Sequence, residues 1–214
     1  MSFNYTGPDG APLVNVRSEI VGSSANGPGS RYVVWFQGCG HGCVGCYNPG
    51  SWSSTINTLV RPEVLAERIL SSSCTGVTFT GGEPMAQGRA LLDVLRALHV
   101  DGELAAALVD GILVFSGHEM MDLIEDRDCA YCLPMLDVII MGRFKREQRS
   151  VRGLLGSTNQ RVWWNPSPVR GRAKIEEDSI TKGQVFETHM SGSGVVLTGF
   201  PEIEGLKIPG LRRG

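Results

Sequence analysis

The 214-residue sequence has no excess of charge of either sign: 20 Lys and Arg stand against 22 Asp and Glu, for a formal net charge of −2. A nucleic-acid partner would want a basic face, and this balance gives no reason to expect one. No uninterrupted apolar run approaches the roughly 20 residues of a membrane-spanning helix. The opening MSFNYTGPDG is polar and lacks the charged-then-apolar layout of a secretory signal. The expectation is a soluble, cytoplasmic protein without a membrane partner. Internal repeats, low-complexity tracts and long charged linkers are also missing. What is present is enough apolar content, 42%, to bury the core of one ordinary domain.

The six cysteines need an account. An even count in an oxidising compartment is compatible with three disulfides, but a chain of this length with a normal core does not need such staples. Cys39, Cys43 and Cys46 crowd into eight residues, a spacing that suits a metal better than pairing.

Along the chain, short apolar runs alternate with amphipathic stretches. RYVVWFQG (31–38), GVTFTGG (76–82), ILVFSG (112–117) and LDVIIMG (136–142) read as strands. RPEVLAERILSS (61–72) reads as a helix with Pro62 near its start and Leu65 and Ile69 one turn apart. GRALLDVLRALH (88–99) places Leu91, Leu95 and Leu98 on one helical face, and a helix is expected from Glu119 to Glu125. This alternation predicts an α/β fold of parallel β-α units, as an open sheet or a partial barrel. Three of the strands run into Gly38, Gly81 and Gly117. Functional groups gather at the carboxyl ends of parallel strands, so the cysteine loop and the Gly-Gly-Glu that follows the next strand are expected at the same end. From about residue 166 the chain turns polar, and KGQVFETHM and GSGVVLTGFP then suggest a hairpin. The expected organisation is a core of residues 1–165 with an appended C-terminal β element over 166–214, packed on the same domain.

The segment GCGHGCVGCYNP has the spacing C-x3-C-x2-C. Three thiolates on one loop can hold three irons of a 4Fe–4S cubane and leave the fourth open. Flanking glycines let the loop wrap closely. The rival readings are zinc with His41 as fourth ligand, and three buried thiols without a ligand; structural zinc sites more often come as two separated pairs.

The triad followed by an aromatic, Tyr47, resembles the hallmark of the radical S-adenosylmethionine (SAM) superfamily, and TGGEP (80–84) resembles that superfamily's GGE motif. NGPGSRYVVWFQGCGHGCVGCYNPGSW (26–52) is similar to the activating proteins of glycyl-radical enzymes, above all those of anaerobic ribonucleotide reductase. These share an N-G-P-G-x-R lead-in, a G-C-x-H-x-C-x-G-C-Y-N core and a trailing Trp, here Trp52. LDVIIMGRF (136–144) and RGLLGSTNQR (152–161) resemble later landmarks of that family, with Met141 standing where the family has Asp. The likeness runs from about Ile20 to Arg161.

The resemblance implies a partial (β/α) barrel of the radical SAM type. It implies a 4Fe–4S cluster on Cys39, Cys43 and Cys46 whose open iron chelates SAM. Contacts to the SAM amino group are implied for Gly81, Gly82 and Glu83, with Tyr47 by the adenine and Ser116 at ribose or carboxylate. Asn159 and Gln160 follow from the N-Q landmark, against the alternative of an amide pair satisfying loop backbone. The implied partners are a glycyl-radical enzyme and a flavodoxin- or ferredoxin-type electron donor. The alternatives are a stand-alone radical SAM enzyme acting on a small metabolite or peptide, and a metal-binding module that has lost SAM.

Cys74, Cys129 and Cys132 read as core or loop thiols ahead of an auxiliary metal site. Trp163 and Trp164 read as packing residues in a strand-like run, and Arg143, Lys145, Arg146 and Arg149 as a solvated basic face.

Overall fold

The computed structural model describes residues 2–100, 102–150, 152–167, 175, 177–181, 186–191, 194–199 and 212–213. The strands are β1 (Tyr5–Thr6), β2 (Pro12–Ser23), β3 (Arg31–Phe36), β4 (Thr58–Val60), β5 (Gly76–Gly81), β6 (Ile112–Ser116), β7 (Val138–Met141), β8 (Arg161–Trp164), β9 (Phe186–Ser191), β10 (Gly194–Gly199) and β11 (Arg212–Arg213). The helices are α1 (Pro62–Leu70), α2 (Gly88–Val100), α3 (Gly102–Ala107), α4 (Met120–Glu125), α5 (Arg127–Cys132) and α6 (Glu177–Thr181).

The four apolar runs expected as strands lie side by side in chain order, β3-β5-β6-β7, and all three pairings are parallel. Each crossover carries helix, as parallel neighbours require. The sheet is nevertheless mixed. β2 pairs antiparallel with β3, and β8 pairs antiparallel with β7. The link from β2 to β3 is a short glycine-containing turn, which returns the chain antiparallel without a crossover. β2 went unseen in the sequence because Asn15, Arg17, Ser18 and Glu19 interrupt its apolar residues. Two register shifts against β3 break its alternation further. Among the described residues the hydrogen-bonded path runs linearly from β1 to β8.

Alternate residues of each strand face opposite layers. Val34, Phe36, Phe79, Val114 and Ile139 pack under α1 and α2, where Leu65, Ile69, Leu91, Leu95 and Leu98 are fully buried as their spacing predicts. Leu113, Val138 and Ile140 face the other way and meet Leu154, Ile175 and Ile180. Ile175 and Ile180, which follow β8, thus pack on the second face of the sheet. β9 and β10 form the expected antiparallel hairpin, with Gly194 opposite Ser191, and β11 adds parallel to β10.

The amino ends of the parallel strands are closed by Arg31, whose relative exposure is 0%. Its guanidinium donates to the Thr78 hydroxyl and to the carbonyls of Pro28, Val77, Asp110 and Gly111. All five donors are used, as burial demands. Desolvation pulls its pKa down to about 10, with Asp110 and Asp137 opposing, so it stays charged at neutral pH. The N-G-P-G lead-in wraps this side chain: at Gly27 (φ +134°) a Cβ would sit 2.7 Å from Arg31 Cδ. The most distinctive stretch ahead of the cysteines is therefore, from Gly27 on, a structural cradle for Arg31.

Candidate metal centre

The loops leaving β3, β5, β6 and β7 converge at the carboxyl ends of those strands and line one cleft with Cys39, Cys43, Cys46, Tyr47, Glu83, Ser116 and Gln160. The common placement expected for the cysteine loop and Gly-Gly-Glu is what the fold produces. The cysteine loop is pinned at its base, where Gly38 N–H donates to Ser51 O (2.8 Å) and Cys39 N–H to Trp52 O (3.1 Å). None of its three thiols is in a disulfide, and each is partly exposed. Burial pushes the Cys39 thiol up to about 11, and also raises Cys46 despite the amide of Asn48 and the Trp52 side chain turned toward its sulfur. A metal bound here would have to displace these protons, since only the thiolates are ligands.

Among the described residues, the one group of three His, Cys, Asp or Glu whose ligand atoms all lie within 4.8 Å of one another is His41, Glu83 and His118. The three cysteine sulfurs are spread more widely than that. A single zinc, at about 2.3 Å from each sulfur, would hold them within about 4.6 Å.

The Gly-Gly-Glu turn is locked to the cysteine loop. Gly82 N–H donates to Phe36 O (2.8 Å) and Glu83 N–H to Gly38 O (2.9 Å), and a Cβ on Gly82 would collide with the Gly38 carbonyl. Glu83 is 1% exposed. Its Oε1 accepts from Ser116 Oγ (2.9 Å) and Met85 N (3.0 Å); its Oε2 accepts from Gly117 N (2.6 Å) and His41 Nε2 (3.0 Å). One carboxylate therefore ties together the loops after β3, β5 and β6. The sequence offered Glu83 as a free acceptor for an ammonium; the fold fills both of its oxygens.

His41 is the partner that sequence reasoning missed. Its ring meets His118 edge-on at 4.7 Å, and its carbonyl accepts from the Arg143 guanidinium. The Glu83 contact joins residues 42 apart and the Arg143 contact residues 102 apart. No local pattern carries either.

Tyr47 stacks edge-on against Phe144, 5.2 Å between centroids. Gln160 lines the cleft, but its amide serves the loop: Oε1 accepts from Gly156 N and Ser157 N, and Nε2 donates to Gly142 O. Asn159 Nδ2 donates to Arg143 O (2.9 Å), and Asn159 is not in the cleft wall. Both amides thus bond loop backbone, and Gln160 at the same time borders the cleft. Met141 packs in the helix-side core, so its replacement of Asp leaves no gap in the cleft. Cys74, Cys129 and Cys132 are buried; the Cys129 thiol donates to Met85 O and that of Cys132 to Gly88 O. Desolvation raises Cys129 strongly and Cys132 to about 12, as for core thiols. Trp163 and Trp164 pack on opposite faces of the sheet. The far wall of the cleft comes from the C-terminal hairpin, through Thr198 and Gly199, with Asn26 Nδ2 donating to Thr198 Oγ1 (2.8 Å).

Residues 25–163 match the model of a family described as the 4Fe-4S single cluster domain. The chain is 32% identical over 151 residues to the anaerobic ribonucleoside-triphosphate reductase-activating protein of Enterobacteria phage T4, covering 67% of this chain and 90% of that one. To the protein of the same name from Haemophilus influenzae it is 32% identical over 130 residues, 58% of this chain and 79% of the relative. To the pyruvate formate-lyase-activating enzyme of Clostridium pasteurianum it is 39% identical over 83 residues, 36% of this chain and 35% of that enzyme. The chain belongs to the 4Fe-4S single cluster domain family, and within it to the radical SAM activating enzymes.

Proposed function

We propose that this enzyme cleaves SAM reductively at a 4Fe–4S cluster held by Cys39, Cys43 and Cys46, and so installs a glycyl radical on a partner enzyme such as an anaerobic ribonucleotide reductase. The observation that carries this reading is the junction of two loops: three thiols in one cleft, locked through Gly82 and Glu83 to the Gly-Gly-Glu turn. When bound and given one electron, the cluster and SAM supply methionine and a 5′-deoxyadenosyl radical, which takes a hydrogen atom from a glycine Cα and leaves as 5′-deoxyadenosine. The chain's own residues bind, orient and enclose. Three cysteines for four irons leave one coordination site for the substrate-like ligand. Gly81 and Gly82 bring backbone close to the SAM amino group, while Glu83 fixes that backbone and accepts from the ammonium in exchange for His41 at Oε2. Tyr47 borders the adenine, and Ser116 holds both Glu83 and the loop after β6. Gln160 and Asn159 hold the loop after β7 in place.

The sequential order of the four parallel strands supports a partial (β/α) barrel formed by residues 1–165, with 166–214 as an extension that walls it. No described helix is long and apolar enough to cross a membrane. An open cluster fits a reducing compartment, the cytoplasm. The electron donor fits a flavodoxin or ferredoxin type.

A second reading, a stand-alone radical SAM enzyme for a small metabolite or peptide, is favoured by the C-terminal hairpin, because Thr198 and Gly199 narrow the cleft. The test is anaerobic. Iron and sulfide are reconstituted, the protein is reduced, and 5′-deoxyadenosine is assayed with SAM. Production that disappears in Cys43→Ala supports the proposal. A cluster that never binds SAM by electron paramagnetic resonance, and never cleaves it, sinks the proposal. A glycine-centred radical signal on an added anaerobic reductase separates the first reading from the second.

A further inference from the structure

The reaction proposed above consumes an electron, and the basic segment after β7 has no part in it. We propose that this segment and the tip of the cysteine loop form the docking face for an acidic one-electron donor protein; the inference rests on the cluster reading above.

Arg143, Lys145, Arg146 and Arg149 are exposed, against one acid, Glu147, in a chain whose formal net charge is −2. The sequence alone made these a solvated face, but the fold sets three of them on the cysteine loop. Arg143 reaches the His41 carbonyl. The Arg146 stem lies over Gly45, where a Cβ would come within 3.1 Å of its Cδ. Arg149 stands 5.8 Å from the centroid of the Tyr47 ring. Among the described residues neither Lys145 nor Arg146 forms an ion pair, so their charge faces solvent.

Next to Gly45 on the same loop, Val44 is 75% exposed. A Cβ on Gly42 would meet nothing within 4 Å. Cys39, Cys43 and Cys46 line the cleft, whereas Gly42, Val44 and Gly45 do not. Cys43 and Cys46 thus sit on the same short loop as these exposed residues, one position away from them in the chain. Electron transfer weakens steeply with the thickness of protein crossed, so a donor gains most by docking here. Hydrogen abstraction needs contact on the cleft side instead. An exposed apolar residue beside exposed cations matches a donor whose redox group sits among acidic side chains. The step is a single electron transfer: the donor is oxidised by one electron, the cluster is reduced by one, and no bond is made or broken.

The test uses the full reconstituted chain, wild type and two variants, Lys145→Glu and Lys145→Glu/Arg146→Glu. Each is reduced either by dithionite or by photoreduced flavodoxin, an acidic flavin protein used as the probe. Cluster reduction is followed by stopped-flow absorbance and 5′-deoxyadenosine by chromatography. With flavodoxin at low salt, the expected second-order rate falls about tenfold or more in the double variant and less in the single one. The wild-type rate should decline with ionic strength while the double variant's stays flatter. With dithionite, product formation should match wild type within about twofold. Equal flavodoxin rates in wild type and variants would overturn the docking face, as would an equal loss with dithionite, which would make the loop a mere support. A loss confined to radical transfer onto a reductase would assign the face to that partner instead. Absence of 5′-deoxyadenosine from wild type with dithionite would bring down the cluster reading itself, and this inference with it.

Discussion

At the amino ends of the parallel strands the Arg31 guanidinium is enclosed by five acceptors; near their carboxyl ends the Glu83 carboxylate is enclosed by four donors. Both charges are buried and satisfied, and glycines make room for both. They differ in who the partners are. Four of the five acceptors around Arg31 are backbone carbonyls, fixed by strand geometry. Two of the four donors to Glu83 are side chains, His41 and Ser116, brought by different loops and facing an open cleft. A buried charge is thus no sign of function by itself. Partners that can be exchanged, beside a space that can be filled, are the sign.

The harshest way to break the comparison is Arg31→Met. It leaves five dry acceptors, and the expected loss is at least about 3 kcal/mol of folding stability, read by urea denaturation. The folded fraction should keep its cluster, since of the lead-in that wraps Arg31 only Asn26 reaches the cleft, and none of Cys39, Cys43 and Cys46 contacts it. Glu83→Gln is the matched change at the other end. Its amide nitrogen must face donors on one side or the other, at a cost of about 1–3 kcal/mol. Here the selective effect should be on chemistry: 5′-deoxyadenosine formation is expected to fall about 10–100-fold. If stability falls but turnover per cluster does not, Glu83 is no more functional than Arg31.

His41→Phe sharpens the contrast by removing one donor while keeping a ring. We expect about 1 kcal/mol of destabilisation, together with a changed electron paramagnetic resonance signal on SAM addition. An unchanged signal would leave His41 a simple brace. The smallest effect is expected for Cys129→Ala. Iron and sulfide per chain should match wild type, with stability lowered by no more than about 1–2 kcal/mol. Lost iron would revive an auxiliary metal site.

Much of the fold was legible because each central strand is a continuous apolar run and each main helix shows its buried face every third or fourth residue. Val33 to Phe36, or Leu91 with Leu95 and Leu98, needed no knowledge of their neighbours. Of the two strands that flank the parallel four, β8 showed as a strand-like run at Trp163 and Trp164, while β2 was not legible. β2 mixes Asn15, Arg17 and Glu19 into its length and draws its shape from pairing on both sides. At the site, the three cysteines and the Gly-Gly-Glu announce themselves by spacing. His41 on Glu83, Arg143 on His41 and Thr198 on Asn26 are meetings between distant segments that only the closed fold creates. The same holds for the lead-in glycines, whose motif is local but whose purpose, enclosing Arg31, is not.

The two backbone bonds that join the cysteine loop to the Gly-Gly-Glu turn bear on how this protein could be rebuilt. Gly82 to Phe36 and Glu83 to Gly38 act like two teeth of a zip, with no room at Gly82 for any side chain. A chimera that borrowed only the cysteine loop from a relative, or only the turn, would inherit half of a closure. Exchange should succeed when residues 36–52 and 81–87 travel together, as one interchangeable cassette.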